Sequence, residues 1–217
     1  MVVHLGLRLR GDEADLHISR DNFIGRKKDG SYRIDSPRIA AMYDSDPSLL
    51  DEKLERAFEN YAKNMAYYSS LERISFESEL GRFLGKHREF REKTDLSSCD
   101  HPGAYLMVLD DFKQVYIGKT IDSIKTRIRN HWNEKFPVDR IILGTVDTSR
   151  LPIDCFGALD TTRVFVWKTS NPAKLENSLI EDFDDAYLCN RTAGGDLRAG
   201  LIEAIARCRP PRDLSRF

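Results

Sequence analysis

Apolar and polar positions alternate at the start of the chain. Val3, Leu5, Leu7 and Leu9 stand among His4, Gly6, Arg8 and Arg10, and Leu16 and Ile18 resume the pattern after Gly11-Asp12-Glu13. Alternation with period two, broken by turn residues, predicts a β-hairpin. Asp29-Gly30 marks a further turn. The period then changes. Asp46-Pro47 reads as an N-cap with proline at the first helical position, and Leu50, Leu54, Ala57, Phe58, Tyr61 and Met65 fall on one helical stripe. A second helical run from Phe76 to Phe90 carries Leu80, Phe83 and Leu84 on one side, weakened by Gly81 and Gly85.

Thr94-Asp95-Leu96-Ser97-Ser98 is polar and unpatterned, so a boundary is expected there, between an N-terminal β/helical unit (1–98) and a second unit (99–217). In the second unit Ala104 to Leu109 and Gln114 to Ile117 read as strands joined by a turn at Asp110-Asp111. A helix follows, capped by Asp122 or Ser123, with Ile124, Ile128 and Trp132 on its apolar face. A connecting stretch with the apolar run Ile141-Ile142-Leu143 leads to a strand at Arg163 to Lys168, and Asn171-Pro172 opens a helix with Leu175, Leu179, Ile180 and Phe183 facing inward. Gly194-Gly195 precedes an amphipathic tail, Leu197 to Cys208, suited to core packing or to dimerisation. The expected class is α+β: a small antiparallel sheet flanked by helices, preceded by a β-hairpin and helical unit.

Composition narrows this only modestly. At 217 residues and 41% hydrophobic, the chain can build one sizeable core or two small ones. Charged residues make up 32%, but 34 basic against 35 acidic residues leave a formal net charge of -1, so any polyanion-binding surface has to be a local patch. Arg20, Arg26, Lys27, Lys28 and Arg33 form such a patch beside Phe23 and Tyr32, and it reads either as a solvated hairpin face or as a DNA contact. Cys99, Cys155, Cys189 and Cys208 are widely spaced, which fits reduced thiols better than a disulfide frame or a zinc site. No stretch approaches the roughly 18 apolar residues of a membrane span, and the start has no unbroken apolar segment. A cytoplasmic protein without membrane association is expected.

Arg127 and His131 stand four residues apart on a helix, so both side chains emerge on one face, next to the strands that carry Tyr105 and Tyr116. Each residue alone has an ordinary explanation: Arg127 as a surface ion-pair partner, His131 as a packed helix histidine, Glu176 as a first-turn carboxylate favoured by the helix dipole. Their order along the chain changes the weighting. Gly103-Ala104-Tyr105 and Tyr116-Ile117-Gly118 resemble the paired tripeptides of the GIY-YIG nuclease superfamily, with alanine at the first motif's middle position. Arg127 and His131 match the family's arginine and its histidine or tyrosine, Lys174 to Ile180 resembles the helix bearing its metal-binding glutamate, and Asn190 matches a closing asparagine.

This resemblance covers Gly103 to Asn190 only. It implies catalytic roles for Tyr105, Tyr116, Arg127, His131 and Glu176, a metal-ligand role for Glu176 toward one divalent ion (Mg2+ or Mn2+), and substrate or supporting roles for Lys119 and Asn190. Phosphodiester hydrolysis needs an activated water, charge stabilisation on the phosphorane and help for the departing oxygen. Tyr105 with His131 is the expected water-activating pair, Arg127 offers a donor fork matched to phosphate, and Tyr116 could orient the water. Ionising a free tyrosine at pH 7 costs about 4 kcal/mol, so the groups make sense only as a cluster. The expected partner is double-stranded DNA, cut as by a restriction-type homodimer, with a structure-specific or homing nuclease as the alternative substrate class. A non-catalytic DNA-binding or interaction module is the alternative of another kind.

Overall fold

The structure, a computed structural model of the chain, describes residues 1–192 and 212–217. The expected amphipathic tail, Leu197 to Cys208, lies outside the described residues. The chain begins with a two-stranded antiparallel hairpin, β1 (Val2–His4) and β2 (Leu7–Leu9), in register Val2↔Leu9 and His4↔Leu7. Its turn is at Leu5-Gly6, with φ of 45° and 74°, and not at Gly11-Asp12-Glu13 as the alternation suggested. Two consecutive left-handed residues close a tight hairpin whose twist matches its strands. Leu5 therefore leaves the strand pattern, and Leu16 belongs to a 3-10 turn, Glu13–Leu16.

Helix α1 (Pro37–Ser45) has no counterpart among the expected elements; it is nine residues long and buries none of them fully, and Ser36 caps it, accepting from the Ile39 amide. Helix α2 (Pro47–Ser70) starts as expected, with the Asp46 carboxylate accepting from Ser48 N at 3.1 Å. Helix α3 (Arg73–Lys86) begins three residues before the expected start and ends at Lys86, earlier than Phe90. Four strands follow in one sheet: β3 (Arg91–Glu92), β4 (Gly103–Leu109), β5 (Gln114–Thr120) and β6 (Arg163–Lys168), all antiparallel in the order β3-β6-β4-β5. Helix α4 (Ile124–Asn133) is capped by Ser123, and α5 (Glu176–Asp182) follows a 3-10 turn opened by Pro172.

Strand β4 is buried along its whole length, and its alternation divides the core in two. Tyr105, Met107 and Leu109 face a layer built by α2, α4, the N-terminal hairpin and the irregular connection that holds Val138, Leu151, Ile153 and Phe156. Ala104, Leu106 and Val108 face the other layer, with Phe76, Leu80 and Phe83 of α3 and Leu179 and Ile180 of α5. The sheet is thus covered on both sides, and each layer mixes residues from before and after the expected boundary. Residues 94–98 mark no gap in this packing: Leu96 is fully buried and its amide donates to Leu5 O. Among the described residues no helix is long and apolar enough to cross a membrane.

Candidate active site

The register of β4 and β5 determines how the two motifs meet. Tyr105 lies opposite Gly118, and Tyr116 lies opposite Met107, so the two tyrosines are diagonal neighbours on one face of the sheet with ring centroids 6.2 Å apart. Gly118 has no side chain to occupy the space over which the Tyr105 ring lies: an added Cβ would overlap the ring's Cζ and hydroxyl. Gly103 is similarly constrained, since a Cβ there would overlap the Trp167 carbonyl. Ala104, at the position where the resemblance implies isoleucine, is buried in the opposite layer against α3 and α5.

Helix α4 crosses the tyrosine face, anchored by Ile124, Ile128 and Trp132. His131, 3% exposed, brings Nε2 to 2.8 Å from the Tyr105 hydroxyl, and its ring meets Tyr116 edge-on with centroids 5.0 Å apart. Arg127, one turn earlier, remains exposed while its guanidinium lies beside the same phenol. Burial pushes the Tyr105 phenol well above its ordinary pKa, and Arg127 opposes that shift. Burial also raises Tyr116, reinforced by Tyr105, Glu176 and Asp154. Burial works against the charge of Arg127, but Tyr105, Tyr116 and Asp154 outweigh it and hold its pKa above the usual value.

Glu176 opens α5 on the other side of the sheet and is 8% exposed. Its Oε2 lies 3.0 Å from the Lys119 ammonium, and its charge acts on both Tyr105 and Tyr116. Two phenols, a guanidinium and an imidazole therefore meet on one face of the sheet, while this carboxylate lies beside Lys119 near the end of β5. Asn190 is placed differently from a substrate contact: it is 5% exposed, its Oδ1 accepts from Ile117 N at 2.9 Å, and its Nδ2 donates to Ile117 O at 2.8 Å. Its amide acts as a strand partner for the outer edge of β5, continuing a ladder begun by Cys189 N to Val115 O.

One site residue escaped the sequence reading. Asp154, in the 3-10 turn Ile153–Cys155, places Oδ1 2.7 Å from His131 Nδ1. Its stretch has neither period-two nor helical patterning, so no local signal separates it from the other aspartates. Two carboxylates thus border the phenols, Asp154 engaged by His131 and Glu176 by Lys119. Among the described residues no three His, Cys, Asp or Glu side chains gather as a metal cage. No family model, curated protein or solved structure matches the chain.

Proposed function

We propose that the protein is a metal-dependent DNA endonuclease of the GIY-YIG type that hydrolyses phosphodiester bonds, acting as a restriction-type enzyme that cuts both strands as a homodimer. The observation that carries this reading is the 2.8 Å hydrogen bond between Tyr105 and His131, with Arg127 beside the same phenol and the Glu176 charge bearing on it. The order of the five residues along the chain, and the contacts among Tyr105, Tyr116, Arg127 and His131, support this reading.

Glu176 offers a hard oxygen donor, and the Lys119 ammonium already balances its charge. This donor set fits an Mg2+ or Mn2+ ion held by one protein carboxylate and completed by water and phosphate oxygens. When bound, the ion supplies charge neutralisation at the scissile phosphate. The chain's own groups do the rest. Arg127 is exposed and presents a planar donor fork, suited to two oxygens of a phosphate. Tyr105 is fully buried, with the exposed Arg127 guanidinium beside its hydroxyl. Tyr116 is partly buried and meets the same imidazole, where it can orient a water. Lys119, paired with Glu176 at 3.0 Å, would turn to a phosphate oxygen if Glu176 held an ion instead. One such site cuts one strand, and a symmetric pair cuts two.

The test is digestion of supercoiled plasmid with magnesium, run beside a flap substrate and single-stranded oligonucleotides. Wild type is expected to linearise the plasmid, and Glu176→Ala and Arg127→Ala are expected to abolish cleavage while DNA binding survives. Cleavage by either variant at the wild-type rate would remove that residue from the mechanism, and preference for the flap would shift the substrate class. Sedimentation of a strict monomer on cleaved DNA would refute the homodimer.

A further inference from the structure

Tyr105, His131 and Asp154 stand in one hydrogen-bonded line, with contacts of 2.8 Å and 2.7 Å on opposite nitrogens of the imidazole. An ionised carboxylate can only accept, so Asp154 requires the proton of a neutral His131 to sit on Nδ1. Nε2 is then a bare acceptor, and the Tyr105 hydroxyl has to donate to it. The direction of the Tyr105–His131 bond is thus set by a third residue 23 positions further along the chain than His131.

We propose that Asp154 is the positioning residue of this line: it holds the His131 imidazole in the Nδ1–H tautomer, so that Nε2 accepts the phenol's proton as Tyr105 takes one from water. The proposal rests on the nuclease reading of the site and divides a role that the sequence left shared between Tyr105 and His131. As the water oxygen bonds to phosphorus, its O–H bond breaks and the proton passes to the Tyr105 oxygen. The phenol's own proton moves to His131 Nε2. The resulting imidazolium keeps its Nδ1 proton toward the Asp154 carboxylate, which balances the charge. The P–O bond to the departing sugar oxygen breaks with its electron pair, that oxygen takes a proton from solvent, and His131 returns its extra proton to solvent.

Burial explains why a relay is needed. Tyr105 is 0% exposed, and burial makes its phenolate costly, so a proton can leave it only to an acceptor already in hydrogen-bond contact. Arg127 beside the phenol favours the anionic oxygen during the transfer. His131, 3% exposed, could not carry charge in that place without a counter-ion, and Asp154 is one. The carboxylate itself remains 27% exposed, which leaves the end of the line open to solvent.

The experiment pairs Asp154→Asn with nitrogen-15 NMR of labelled protein. The wild-type His131 signals are expected to be those of the Nδ1–H tautomer. An asparagine can present either its oxygen or its NH2 group to Nδ1, so the variant is expected to show a mixture that includes the Nε2–H form. Its kcat is expected to fall roughly 100-fold or more, the range for loss of general base catalysis, with KM and DNA binding within about twofold of wild type. Asp154→Glu, which keeps the carboxylate, is expected to recover part of the rate, and circular dichroism of both variants checks folding. A wild type that cuts no DNA would remove the nuclease reading and the relay with it. An active wild type whose His131 carries its proton on Nε2, or an Asp154→Asn protein that cuts as fast as wild type, would overturn the relay alone.

Discussion

Gly118 lies directly opposite Tyr105 in the β4–β5 ladder, and the methyl that alanine would add there falls on the phenol ring and its hydroxyl. Strand pairing holds the two backbones together, so the ring has to yield, and its hydroxyl then leaves His131 Nε2. Gly118→Ala is expected to lower stability by about 1–3 kcal/mol, the usual cost of overpacking a filled core. It is also expected to remove cleavage while leaving the circular dichroism spectrum of the fold. Thermal unfolding and plasmid cleavage check both parts, and a variant matching wild type in both would show that the close approach does not constrain the site.

The legible parts of this protein are those whose function is local. Asp46-Pro47 announces α2, Ser123 announces α4, and the alternation around Tyr105 and Tyr116 announces two strands of the sheet. Arg127 and His131 were readable together because helical spacing alone puts them on one face. Two features depend on tertiary contacts and have no local signature, and one short helix escapes the sequence reading. The hairpin turns at Leu5-Gly6, where Leu96 N donates to Leu5 O and the Asp95 side chain packs over Gly6. Helix α1 carries the start signal Ser36-Pro37 but is short and buries no residue fully, Tyr43 packing only partly buried on the core. Asp154 reaches His131 from an irregular connection whose path only the packed core determines.

Asn190 shows how a residue can matter to the site without facing it. Arg150 donates to the carbonyls of Asp185 and Leu188, holding the turn that delivers Asn190 to Ile117, the residue between Tyr116 and Gly118. Asn190→Ala strands two buried backbone groups and is expected to cost about 2–4 kcal/mol. Asn190→Asp keeps an acceptor for Ile117 N but sets a carboxylate against Ile117 O. That buried carboxyl should titrate above its unfolded value, so the stability it contributes is present in acid and lost as pH rises through the folded pKa. Urea unfolding at pH 4 and pH 7 checks this, and an Asn190→Asp protein equally stable at both would refute the amide's assigned orientation.

Alkaline pH should weaken the fold before it weakens any surface ion pair. Burial raises the phenols of Tyr68, Tyr105 and Tyr116 and the thiol of Cys155 above their ordinary values. In the unfolded chain the thiol releases its proton near pH 8.5 and the phenols near pH 10, while the native state still holds them. Stability from these groups is therefore complete below those values and declines as pH rises beyond them toward the folded pKa values. Urea midpoints are expected to fall between pH 8 and pH 11. Tyr68→Phe, which lies outside the site, should flatten part of that slope. An unchanged midpoint through pH 11 would mean that the phenols ionise as freely in the fold as outside it.

The basic turn near the N-terminus is tied to the stretch that follows α4. Arg26 stacks on Tyr32 at 4.2 Å and donates to Gly30 O and the Tyr32 hydroxyl, which stiffens the turn, while Arg26, Lys27 and Lys28 remain exposed. Its two ends are pinned just beyond α4, Gly25 N donating to Phe136 O at 2.8 Å and Val138 N to Arg33 O at 2.9 Å. On the proposed nuclease reading, three exposed cations on this turn are suited to the phosphates of a DNA substrate, since an overall charge of -1 leaves any such attraction to local patches. Lys27→Ala with Lys28→Ala is expected to weaken DNA binding and to reduce the salt dependence of affinity by about one unit of slope for each phosphate left without its lysine, without changing the cleavage rate at saturating DNA. Binding isotherms at two salt concentrations decide it. Equal slopes for variant and wild type would return these lysines to the role of a solvated face.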